Sequence, residues 1–124
     1  MGILDGLFGS KKERKETEKI DWIQLTSIEQ LEKLKNTSVL FKHSTRCGIS
    51  SSVIKRLESQ SSNIEGEIDF FYLDLLNFRE ISAAIAEKYK VVHQSPQLLV
   101  IKDQKMVANG SHYDILEIDL KKFI

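Results

Sequence analysis

Between Ile20 and the C-terminus the hydrophobic positions of this chain alternate between a period of about two and a period of about 3.6, which separates strand-like from helix-like segments. "SVLFKH" (38–43), "IDFFYLDL" (68–75) and "QLLVIKD" (97–103) are short apolar runs rich in β-branched and aromatic residues, as in strands covered on both faces. Helical stripes lie between and after them: Ile28, Leu31 and Leu34; Ile49, Val53 and Leu57; Ile81, Ala84, Ile85 and Tyr89; and, from about Tyr113, Leu116, Leu120 and Phe123. "DWIQL" (21–25) supplies a first short strand, and "KMVANG" (105–110), after a polar turn at 103–105, closes a hairpin. Thr26 with Glu29, and Asn77 with Glu80, have capping-box spacing at two helix starts.

The predicted order is βαβαβαββα. Strands joined through helices are expected to be parallel neighbours with right-handed crossovers, and the closing hairpin to be antiparallel. This is an α/β domain over residues 20–124, a central mixed β-sheet flanked by helices. Residues 1–19 read as an N-terminal appendage or tether, with Ile3, Leu4, Leu7 and Phe8 on one face if helical and able to dock on the domain. Gly6 stands where a myristoylation signal requires Ser or Thr, and "KKERKETEK" mixes charges as a solvated face does.

Lys plus Arg and Asp plus Glu balance at 18 each, so no overall field draws the chain to nucleic acid. There is neither a secretory leader nor an apolar run long enough to span a membrane, and one cysteine excludes an intrachain disulfide. These features lead us to expect a cytoplasmic protein with neither nucleic acid nor membrane as partner, and a monomer is the expected state.

The single thiol, Cys47, lies between a strand and a helix, flanked by Ser44, Thr45, Arg46, Gly48 and Ser50. A thiol at the first turn of a helix faces free backbone N–H groups and the positive end of the helix dipole, which favour thiolate. Arg46 and Ser50 are candidates to stabilise it further, although Ser50 reads equally well as an ordinary first-turn serine. A packed, inert cysteine is the competing reading of Cys47. Ser50 is not a thiol, so the site can exchange one sulfur partner without resolving the product itself.

Pro96, the only proline, precedes the penultimate strand. The element order resembles that of the thioredoxin fold, and the resemblance implies a cis Ser95–Pro96 bond facing the helix start that carries Cys47, leaving Ser95 open to pair with an extended peptide; a trans proline at a strand start is the plainer alternative. His43 and His93 precede the cysteine loop and the proline loop and are groove candidates, or else exposed or core-edge histidines. With His112 they show no metal-site spacing, so no metal is expected. Trp22 is expected in the core at the first strand.

The segments "FKHSTRCGIS", "ISAAIAEKYKVVHQSPQ" and "SHYDI" resemble the monothiol bacilliredoxins, thioredoxin-like proteins of the bacillithiol system, from about Ile20 to the C-terminus. The resemblance implies a thioredoxin-like fold and removal of bacillithiol from protein mixed disulfides, with Cys47 as the attacking and accepting thiol. It further implies bacillithiolated proteins as substrates, bacillithiol or a dithiol reductant to reset Cys47, and no tightly bound cofactor beyond that thiol co-substrate. Gly48 stands where many similar chains carry proline, Lys90 where glycine is frequent, and Phe41 where dithiol thioredoxins place an acid. "CGIS" also resembles the loop of monothiol glutaredoxins, which hold a [2Fe–2S] cluster between two subunits, so a cluster carrier is one alternative. A redox-inactive, thioredoxin-like interaction module is the other.

Overall fold

The computed structural model describes residues 20–124. The expected appendage, with its docking face at Ile3, Leu4, Leu7 and Phe8, lies outside the described residues.

The domain runs β1 (Ile23–Gln24), α1 (Glu29–Glu32), β2 (Ser38–His43), α2 (Gly48–Ser61), β3 (Asp69–Asp74), α3 (Arg79–Tyr89), β4 (Gln97–Lys102) and β5 (Lys105–Ser111). A 3₁₀ turn at Ser62–Glu67 follows α2, and two more at His112–Glu117 and Leu120–Phe123 end the chain. The five strands form one sheet in the order β1-β3-β2-β4-β5. β3 is parallel to β1 and β2, whereas β4 is antiparallel to both β2 and β5.

All six residues of β2 are buried, because alternate side chains enter two separate layers. Val39 and Phe41 pack with Val53 and Leu57 of α2 and with Ile115 and Leu120 of the C-terminal turns. Leu40 points the other way, into a cluster with Ile81, Ile85 and Tyr89 of α3 and Leu31 of α1. β4 divides likewise, Leu98 and Val100 toward α2 and Leu99 and Ile101 toward α3. A strand buried on both faces needs no polar alternation, which explains the continuous apolar runs. The β4–β5 turn is made by Asp103 and Gln104, both at positive φ (53° and 66°), the two-residue geometry whose twist matches a hairpin.

Several local expectations are corrected. Neither β1 and β2 nor β3 and β4, each pair joined through a helix, are neighbours: β3 inserts between the first two, and β4 runs antiparallel to β2 on its far side. β1 is reduced to Ile23–Gln24. Thr26 and Glu29 do not form a capping box; Gln30 Oε1 accepts from the backbone N–H groups of Thr26 (2.7 Å) and Ser27 (3.0 Å), and α1 is a single turn that leaves Ile28 exposed. Asn77 does not cap α3 either, since its amide turns back to donate to Asp74 Oδ2 at 2.8 Å and Phe78 takes the N-cap position. The expected final helix is two 3₁₀ turns, interrupted where Ile118 and Asp119 are extended and Asp119 accepts from the Lys121 N–H. Of the expected stripe Leu120 is buried while Leu116 and Phe123 pack partly buried against the core, and Ile115, outside that stripe, is buried with Leu120. Among the described residues no helix is long and apolar enough to cross a membrane.

Candidate functional site

β2 ends at His43 and α2 starts at Gly48, so the loop 44–47 carries the chain from the end of the central strand to the first turn of a 14-residue helix. Cys47 is the N-cap of that helix, with extended backbone (φ −106°, ψ 116°). Its N–H donates to Ser44 O at 3.1 Å, which closes the loop, and its carbonyl accepts from Ser51 N–H at 3.2 Å, the first bond of the helix. The thiol is free and half-buried. Arg46 beside it is exposed.

Ser50 is fully buried and turns into the protein. Its hydroxyl lies 2.7 Å from His43 Nδ1 and accepts from Ser44 N–H at 3.3 Å. His43 is only 7% exposed and therefore belongs to the floor beneath the loop rather than to an open groove. Burial pushes its imidazole below the usual histidine range, and the Asp74 carboxylate partly opposes this. The His43 ring stands 5.3 Å from that of Tyr72 and 6.1 Å from that of Phe41. Trp22 stands edge-on to Phe70 and Tyr72 and donates its indole N–H to Glu58 Oε2 at 2.8 Å, so the partly buried ring ties the segment entering β1 to α2.

The antiparallel pairing of β2 with β4 brings the proline loop alongside this floor. Lys42 pairs with Gln97, and the next step of the same register sets Pro96 opposite His43. The Ser95–Pro96 bond is cis. Pro96 is buried, Ser95 is half-buried, and the Pro96 carbonyl accepts from His112 N–H at 3.0 Å. Gln97 reaches back to donate to Val92 O at 2.9 Å, bracing the loop.

His93 lies on the other face of β2. Its Nδ1 is 3.2 Å from both Lys42 Nζ and Ser82 Oγ. Lys42 itself is fully buried, donates also to Ser82 O at 3.2 Å, and has its pKa lowered by burial to about 8. Sequence reading missed it: its position within an apolar strand between Phe41 and His43 was the available signal. Among the described residues no three His, Cys, Asp or Glu side chains gather as a metal site needs. A hollow of about 500 Å³, lined by Thr26–Glu29 and Leu76–Ile81, includes neither Cys47 nor the proline loop.

Comparison with known proteins adds to this geometry. The model of the family described as monothiol bacilliredoxin BrxC matches residues 23–120. A solved structure described as a candidate oxidoreductase with a thioredoxin fold is 32% identical, superposes with a TM-score of 0.68, and shares 75% of this chain and 84% of its own. Thioredoxins of Malassezia sympodialis (14% identity, TM-score 0.67, 85% of this chain and 92% of that one) and Trypanosoma brucei brucei (16%, 0.60, 79% and 93%) share the fold alone. The architecture is thus the thioredoxin fold.

Proposed function

We propose, for a chain that belongs to the monothiol bacilliredoxin family, that Cys47 removes bacillithiol from protein mixed disulfides by thiol–disulfide exchange. A function in thiol redox chemistry accords with the family and with the oxidoreductase neighbour. The observation that carries the finer reading is a lone, half-buried thiol at the N-cap of α2, just beyond the end of the strand whose register runs toward Pro96.

The Cys47 thiolate attacks the bacillithiol sulfur of the modified protein. One S–S bond forms between Cys47 and bacillithiol as the original one breaks, and the client leaves as its thiolate. No net oxidation occurs: the disulfide has moved. Ser50 cannot resolve the product, because a hydroxyl is not ionised at neutral pH and its oxygen is already engaged with His43 and Ser44. A second thiol, bacillithiol or a dithiol reductant, must therefore reset Cys47. The loop at Ser95 and Pro96 supplies the wall along which an extended client segment lies. Cytoplasmic residence, where thiols are kept reduced, suits this cycle.

Intact-mass analysis after incubation with a bacillithiolated model protein tests the reading. Wild type should gain one bacillithiol as the substrate loses one; Cys47→Ser should gain none, and Ser50→Cys should release free bacillithiol through an internal disulfide. Unmodified wild type beside unreduced substrate would remove the reading and leave cluster binding or a non-redox partner role, which an iron–sulfur absorbance spectrum separates.

A further inference from the structure

Lys42 presents a charge that thiol exchange at Cys47 does not use. It is 0% exposed, yet its two recorded acceptors are neutral, the Ser82 carbonyl and His93 Nδ1. Among the described residues no carboxylate lies in ion-pair range of it, and Asp74 acts on His43 and Tyr72, on the α2 side of the sheet. A buried ammonium without an anion is destabilising, because the lost hydration is repaid only in part by neutral acceptors. With its pKa near 8, roughly nine-tenths of it is still charged at about pH 7.

The hollow next to this charge holds one further formal charge, Arg79, of the same sign. Ser82 and His93 line a hollow of about 210 Å³ together with Leu75, Arg79 and Ala83. An ammonium can only donate, so His93 Nδ1 accepts and the ring, part of an exposed residue, carries its hydrogen on Nε2. The polar residues of the lining are then Arg79, Ser82 and His93, with the Lys42 ammonium behind Ser82 and His93 and no acid among them, although Arg79 also borders the neighbouring hollow that holds Glu29 and Glu80. Arg79 stands at the first position of α3, an 11-residue helix whose leading N–H groups add positive potential at that end.

We propose that this hollow between the first turns of α3 and the loop before Pro96 is an oxyanion site, holding a carboxylate or phosphate group of a small ligand by means of Arg79, Ser82 and His93 over the buried charge of Lys42. The bound anion supplies the counter-charge that the fold leaves out. Guanidinium and carboxylate or phosphate match as paired hydrogen-bonding forks, and Lys42 acts as a fixed charge that strengthens the pairing in a partly water-excluded place. The site stands on its own geometry and does not require that Cys47 handle bacillithiol.

The test is a titration of the Cys47→Ser chain with L-malate and, separately, with inorganic phosphate, followed by amide and side-chain NMR. Saturable shifts are expected at Ser82, Ala83 and His93 with a Kd of about 1 mM or tighter, together with an upward move of the Lys42 titration. A response to malate alone assigns a carboxylate, and a response to phosphate alone a phosphate. Arg79→Gln and Lys42→Met should each weaken binding at least about tenfold, while Lys55→Met on the exposed side of α2 should not. Because Arg79 is exposed, its variant reports even if Lys42→Met fails to fold. Absence of saturable shifts with both anions, or equal binding by Arg79→Gln and wild type, overturns the proposal.

Discussion

The Ser50 hydroxyl lies 2.7 Å from Nδ1 of His43, and this bond joins the first turn of α2 to the last residue of β2. It places the fourth residue of C-x-x-S in the floor of the site. Ser50 is thus chiefly a structural link between helix and sheet.

Ser50→Ala should retain bacillithiol transfer but cost stability. The change leaves His43 Nδ1 and the Ser44 N–H without their buried partner, which costs about 1–3 kcal/mol. Denaturant unfolding measures the loss, and intact-mass transfer assays measure the function. A variant as stable as wild type would mean that water replaces the hydroxyl.

His43 should make the domain acid-sensitive. Its folded-state pKa lies below the unfolded value of 6.5, so the unfolded chain takes up a proton first as the pH falls. The stabilisation is fully present above 6.5 and is lost as the pH falls below that value toward the folded pKa. His93 shifts the same way but is more exposed and contributes less. Melting temperature measured from about pH 7 to about pH 5 should fall, and His43→Gln should flatten the slope. An equal slope in the variant would place the sensitivity elsewhere.

Gly48→Pro should be tolerated and modestly stabilising. Gly48 is the first helical residue, nothing lies within 4 Å of an added Cβ, and the extended Cys47 already has the conformation that proline imposes on its predecessor. The gain, from a less flexible unfolded chain, is about 0.4–1 kcal/mol. Thermal melting checks it, and a lowered melting temperature would contradict the geometry.

Lys90→Gly should also stabilise. Lys90 ends α3 in the left-handed region (φ 54°, ψ 48°), where its Cβ is crowded by backbone and glycine carries no such penalty. After allowing for the greater freedom of glycine in the unfolded chain, about 0.5–1 kcal/mol should remain. A chemical denaturation midpoint that moves down instead of up would show that the lysine side chain contributes contacts outweighing the strain.

By itself the sequence determined the elements whose side-chain pattern is local. β2, β3 and β4 were legible because strands buried on both faces show up as unbroken apolar runs, and α2 because the period changes directly after Cys47. The departures at Gly48 and Lys90 were legible too, and the structure gives them a backbone meaning: a helix start and a left-handed helix end. Tertiary structure decided what depends on partners distant in sequence. The insertion of β3 between β1 and β2, and the reversed β4, follow from which apolar faces can be covered together, and adjacency in the chain does not encode that. Gln30 displaced the expected cap at Thr26, and Asp74 drew Asn77 away from α3, because a helix end takes whichever acceptor the folded loop brings nearest. The same holds at the site. His43 faces Ser50, and Lys42 faces Ser82 and His93, because one residue step along a strand turns the side chain to the opposite layer. Neighbouring letters in "KH" therefore serve two separate places, and only the packed layers show which groups each one meets.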